Sequence, residues 1–177
     1  MTRLNPGELS LAAIAAEAGV TASALVQRYG SRRELLLQLA TASSDATGGF
    51  INDLRARHRS PLAALRAYAE CLAGLAESPA ALARSLAYLQ IDLTDPDFRK
   101  PLAAQARATR AGLQSIIEAA IAARELKRST DVRALVRTVE AVLSGSMMVW
   151  ALYQEGSAAR WMRDDLDAVL APYLTRK

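Results

Sequence analysis

Leu11-Ala12-Ala13-Ile14-Ala15-Ala16-Glu17-Ala18-Gly19-Val20-Thr21-Ala22-Ser23-Ala24-Leu25-Val26-Gln27-Arg28-Tyr29-Gly30 is the stretch on which the fold turns. Ser10 is an N-cap residue for a short helix with Leu11, Ile14, Ala15 and Ala18 along one face. Gly19 ends that helix, because a left-handed C-terminal residue is cheap only without a Cβ. Thr21 caps a second short helix that carries Leu25 and Tyr29 inward, and Gly30 closes it. Val20 is expected to plug the angle between the two. The layout is a support helix, a tight turn and a recognition helix, the helix-turn-helix arrangement. The outward face of the second helix offers Ala22, Ser23, Val26, Gln27 and Arg28.

Beyond this stretch the chain reads as helix throughout. Half of its 177 residues are hydrophobic, rich in alanine and leucine, and 5% are aromatic. Alanine and leucine favour helices, whereas β-branched and aromatic residues favour strands. The fold class is therefore all-α. Ser31-Arg32-Arg33-Glu34 is a capping box that opens a long helix. Its inward positions are expected at Leu35, Leu36, Leu39, Ala46, Phe50 and Leu54, with a bend at Gly48-Gly49. Ser60-Pro61 and Ser78-Pro79 each place a cap before a first-turn proline. Asp95-Pro96 reads as a turn, with Pro101 in the first turn of the next helix, because a deeper proline breaks a backbone hydrogen bond. Residues 125–130 form a polar connection. Two apolar helices follow, over 131–153 and 157–174.

Several functions are disfavoured by what the chain contains. The net charge is +4, from 22 Lys and Arg against 18 Asp and Glu, which suits an anionic partner. One cysteine, Cys71, and one histidine, His58, supply neither a disulfide nor a zinc-type cluster. Residues 1–10 lack the apolar run of a signal peptide. The greasiest run, 139–152, contains Glu140 and is too short to span a bilayer. The expected location is cytoplasmic, with no membrane contact and no cofactor. No paired carboxylates near a histidine, no nucleophile with a base and no phosphate loop argue for an enzyme. Asp92, Asp95 and Asp97 read as a solvated, helix-capping loop.

Residues 11–21, then Leu25, Tyr29 and 30–36, resemble the signature of the TetR family of transcriptional regulators. That signature has a support helix ending in alanine-glycine-valine, a Ser or Thr cap, an aromatic closing the recognition helix, and a serine-lysine-glutamate-leucine start to the next helix. The resemblance covers about 27 residues. It implies an N-terminal helix-turn-helix domain, residues 1–43, and a helical ligand-binding and dimerisation domain, residues 44–177. It places Ser10, Thr21, Ala22, Ser23, Gln27, Arg28 and Arg32 against double-stranded operator DNA. Gln27 and Arg28 suit base edges, and Arg32 suits a phosphate at a helix N-terminus. It also implies a largely apolar small-molecule effector buried among the middle helices. Candidate lining residues are Tyr68, Leu72, Tyr88, Ile91, Phe98, Gln105, Met147 and Trp150, with Tyr68, Tyr88 and Gln105 as polar anchors. A homodimer through the last two helices completes the expectation, with Ser144 and Gly145 permitting close contact.

Two departures from the family pattern matter. Val26 stands where the family often has a phosphate-reaching tyrosine. The family also has a whole helix before the segment that begins at Ser10, whereas nine residues precede it here and Asn5-Pro6-Gly7 reads as a turn. The domain is therefore expected to be half-covered, and the chain to be a shortened form of a longer product. The leading function is a ligand-released repressor. The alternative is a ligand-binding bundle without DNA affinity.

Overall fold

A computed structural model describes residues 9–175. The expected turn at Asn5-Pro6-Gly7 lies outside the described residues. Eight α-helices follow one another: α1 Leu11–Ala18, α2 Ala22–Tyr29, α3 Arg32–Arg57, α4 Pro61–Ala73, α5 Pro79–Thr94, α6 Pro96–Ala122, α7 Val132–Tyr153 and α8 Ala158–Leu170. Single 3₁₀ turns at Gly74–Ala76 and Ala171–Tyr173 extend α4 and α8. Among the described residues the one β-type pairing is an isolated bridge between Leu126 and Leu174.

Side chains start every one of these helices. Ser10, Thr21, Ser31, Ser60, Ser78, Asp95, Asp131 and Ser157 each accept a hydrogen bond from a backbone N–H of the first turn. Each satisfies a donor that the helix itself leaves open. Gly19 sits at φ +66°, the left-handed conformation that ends α1 and lets the chain turn into Thr21.

Two cores form. The small one joins Ala15, Leu25 and Leu35, with Leu11, Ile14, Ala22 and Tyr29 packed against it. The large one runs through α3 to α8, with Leu65, Leu113, Ile117, Leu135, Leu143, Met162 and Leu166 fully buried. Long helix α3 belongs to both. Leu35 at its start closes the small core, and Ile51 and Leu54 near its end enter the large one. Helix α3 lies chiefly along α6. Where they cross, Gly112 lets Ile51 approach so closely that an added Cβ would fall 2.6 Å from the Ile51 Cγ2.

Five expectations change. First, α3 is one helix through Gly48-Gly49, and Leu39, Ala46 and Phe50 are exposed. Ser44 and Ile51 face inward instead, beside the expected Leu54, because the seam with α6 follows a different row of the helix. Second, α6 begins at Pro96, with Asp95 as its cap and Pro101 inside it. The helix tolerates Pro101 near its start, where the lost backbone bond falls in the first turns. Third, Val20 is 46% exposed and plugs nothing. Fourth, the last helix ends at Leu170, and residues 171–173 are a 3₁₀ turn around Pro172. Fifth, α7 extends the run 139–152 in both directions and is long and apolar enough to cross a bilayer. Its Leu135, Val136, Val139, Leu143 and Trp150 are instead buried in the protein core.

Candidate functional site

Helix α2 is amphipathic at its own scale. Ala22, Leu25 and Tyr29 turn toward the small core, and Ser23, Gln27 and Arg28 turn outward. Gln27 and Arg28 are exposed, as a reading surface requires. The Arg28 guanidinium lies 5.4 Å from the centre of the Tyr29 ring. The Thr21 Oγ1 accepts from the Ala24 N–H at 3.2 Å and shares a 3.2 Å hydrogen bond with the Ser23 Oγ. Ser10 is exposed and caps α1 at 3.1 Å. Six of the seven residues assigned to DNA thus present side chains outward or at a helix start. Ala22 is the exception: its methyl packs into the small core, so only its backbone is left for a ligand.

Arg32, one of the six, opens α3 and has two surroundings. It is exposed, and it also lines a half-open cavity of about 380 Å³ between α3, α5 and α6. The cavity exists because α3 and α5 both pack on α6 but hardly on each other. Tyr88, Ile91, Phe98 and Gln105 line it as expected. Leu36, Leu39, Ala40, Ser43, Asp92 and Leu102 line it too. Leu36 and Leu39 read as core in the sequence, and Asp92 read as loop. The signal for the first two was present: Leu36, Leu39 and Ser43 share one helical face.

A second cavity, of about 440 Å³, lies between α4, α6 and α7. Tyr68 and Leu72 line it, and it shares Leu102 and Gln105 with the first. Burial pushes the Tyr68 hydroxyl above its ordinary 10.0, against the pull of a hydrogen bond with Thr109. Tyr68 therefore stays protonated at neutral pH. The rim carries a two-pronged ion pair, Arg110 Nη2 to Glu140 Oε2 at 2.7 Å and Arg110 Nε to the same oxygen at 3.0 Å. Two candidates leave the site. Met147 packs against the large core. Trp150 is 6% exposed, donates its Nε1–H to the Gly156 carbonyl at 3.2 Å, and lines a separate hollow before α8.

The residue that sequence reasoning missed is Arg33. Its Nη2 donates to Asp95 Oδ2 at 2.8 Å, Asp95 Oδ1 at 3.0 Å and Asp97 Oδ2 at 3.0 Å. Its guanidinium lies 5.5 Å from the centre of the Phe98 ring, a wall of the first cavity. The start of α3 is thus clamped to the α5–α6 corner. The Asp97 amide, then Arg33, hold the Asp95 carboxyl below its ordinary 3.8. Arg33, then Lys100, do the same for Asp97. No local pattern announces a pair 62 residues apart.

The sequence profile described as Tetracyclin repressor-like, C-terminal domain, matches residues 61–166, from the first turn of α4 into α8. The chain belongs to the TetR family of transcriptional regulators. Solved structures agree with the fold. It is similar to a TetR transcription regulator from Haloarcula marismortui, with TM-score 0.75 and 16% identity over 96% of this chain and 89% of that one. It is similar to the ketosteroid transcriptional regulator KstR2 of Mycobacterium tuberculosis, with TM-score 0.64 and 16% identity over 96% and 87%. It is also similar to the TetR-family repressor FadR of Thermus thermophilus, solved with lauroyl-CoA, with TM-score 0.56 and 21% identity over 97% and 88%. No curated protein matches the chain by sequence. As a TetR-family regulator, the chain has its family-defining bundle in α4 to α8, and α1 to α3 precede it.

Proposed function

We propose that this TetR-family chain is a homodimeric repressor that reads operator DNA with α2 and is released by a small, largely apolar effector bound between α3, α5 and α6. The observation that carries the reading is the outward pair Gln27 and Arg28 on a helix capped at Thr21 and seated on its own small core. Such a helix can lie in the major groove with its exposed face toward base edges and phosphates. Gln27 suits adenine and Arg28 suits guanine or phosphate. Arg32 adds a phosphate contact at the N-terminus of α3. The DNA-binding unit is assigned to residues 1–43 and the effector and dimer unit to 44–177, so their boundary falls inside α3. The protein acts by binding rather than by catalysis, in the cytoplasm.

The dimer follows from an unused seam on α7. Ala134, Thr138, Ala141, Gly145, Met148 and Leu152 recur at alternating steps of four and three, the spacing of helix–helix seams. Met148 is 53% exposed and Leu152 81%. A Cβ on Gly145 would meet open space, so a partner helix can come close there. A second copy also sets two recognition helices roughly 34 Å apart, one DNA turn. Effector release is then a shift between states that space the helices rightly and wrongly for the operator.

Selection of duplex DNA from a random pool on the purified chain tests this reading. A palindromic site should emerge, and its affinity should fall steeply as salt rises, since phosphate contacts release counterions. Enrichment of no sequence below about 100 mM salt contradicts it.

A further inference from the structure

Asp92 is placed where almost every local influence opposes its charge. It lies two residues before the end of α5, where the helix dipole is negative. Asp95, a like charge, follows one turn later and is held by Arg33. Burial raises the Asp92 carboxyl above its ordinary 3.8, and that is its one resolved influence. Among the described residues no hydrogen bond or ion pair engages it. Arg32 lines the same cavity from α3 and is no resolved influence on the Asp92 carboxyl. A carboxylate that stabilises nothing in the fold, and sits in a cavity wall, is a functional group awaiting a partner.

The rest of the wall narrows what that partner is. Tyr88 and Ile91 share the Asp92 face of α5, and Leu36, Phe98 and Leu102 face them. Aromatic rings beside a carboxylate attract a cation by their negative faces, and aliphatic side chains accept its apolar body. The volume, about 380 Å³, suits a drug-sized molecule. The charged pair in the neighbouring cavity, Arg110 and Glu140, already satisfies itself.

We propose that the cavity between α3, α5 and α6 selects lipophilic organic cations, with the positive centre beside Asp92 and the apolar body against Leu36, Ile91 and Leu102. The proposal rests on the reading of this cavity as the effector site and names the ligand class. A cation offsets the burial, the dipole and the Asp95 repulsion together. An anion of the same shape adds to all three.

Tetraphenylphosphonium and tetraphenylborate share size and shape and differ in sign, and triphenylphosphine oxide is a neutral relative. Titration calorimetry on the full chain should show the phosphonium binding at least about tenfold tighter than the borate. Asp92→Asn should remove about tenfold of the phosphonium affinity and leave the borate no weaker. Ala40→Phe, which fills the cavity, should weaken both. Because the fold disfavours the Asp92 charge, Asp92→Asn should also raise the thermal midpoint at pH 7. Borate binding as tightly as phosphonium, an unchanged phosphonium affinity in Asp92→Asn, or a lowered midpoint would overturn the proposal. If the neutral or anionic probe binds and Ala40→Phe blocks it, the effector cavity stands and its cation selectivity falls. If no probe binds, both fall.

Discussion

Gly112→Ala tests the α3–α6 crossing on which the two units depend. The added methyl would fall 2.6 Å from Ile51 Cγ2, 2.9 Å from Cδ1 and 3.1 Å from Cβ. Ordinary contact begins near 3.4 Å, so the methyl is short of room by roughly 0.8 Å. Ile51 is 1% exposed, and a β-branched side chain in a helix has one strongly preferred χ1, so its Cγ2 has nowhere to swing. The helices must part, and contacts along the seam weaken with them. Overpacking of this kind costs about 1–3 kcal/mol. Replacing a mid-helix glycine with alanine returns about 1 kcal/mol. The net expectation is a loss of about 1 kcal/mol. Gly49→Ala is the control, since a Cβ there meets nothing within 4 Å, and it should stabilise by about 0.5–1 kcal/mol. Ile51→Val keeps the branch at Cγ2 and should not rescue Gly112→Ala. Ile51→Ala removes both close atoms and should make the double mutant better than additive by about 1–2 kcal/mol. Urea unfolding at fixed protein concentration, followed by circular dichroism, reads all of these. If Gly112→Ala stabilises as Gly49→Ala does, the helices do not cross as closely as described.

Three further outcomes are expected. Thr21→Ala removes the cap of α2 and should cost about 1 kcal/mol in urea unfolding, with weaker DNA binding because the reading helix frays. Asp95 and Asp97 bind protons less tightly in the fold than when unfolded, so their contribution to stability is present above the ordinary value of 3.8 and lost as the pH falls through their depressed folded values. Thermal midpoints from pH 6 down to pH 2.5 should therefore drop more steeply in the parent than in Arg33→Gln, and parallel curves would dismiss the clamp. Met148→Glu with Leu152→Glu should convert the dimer to monomer by sedimentation equilibrium, since each buries a charge in the α7 seam; an unchanged mass would move the interface elsewhere.

Local chemistry made the helix starts legible. Ser-Pro, Thr and Asp caps mark their positions by side-chain hydrogen bonds that need no tertiary partner, and Gly19 marks its turn by φ. Pro101 misled because its cost depends on depth within a helix, and depth depends on the cap at Asp95, six residues upstream. Phe50, Leu39 and Ala46 misled because α3 has more than one apolar row, and only the partner helix chooses between them. The outward face of α2 was legible from its period except at Ala22, whose methyl turns into the small core. The cavity was legible in its aromatic residues but not in Asp92, since a carboxylate near a helix end reads as a cap until the facing helix is known. Arg33 was illegible for the same reason: its partners arrive from the far end of α5.

The central claim is that α2 enters a DNA groove and reads bases with Gln27. Fluorescence anisotropy on the selected duplex and on a scrambled duplex, with the parent and Gln27→Ala, tests it most directly. Gln27→Ala should lose about 1–3 kcal/mol on the selected duplex and almost nothing on the scrambled one, and its preference at one base position should relax. Equal affinity of parent and variant for the selected duplex would mean that some other surface holds the DNA.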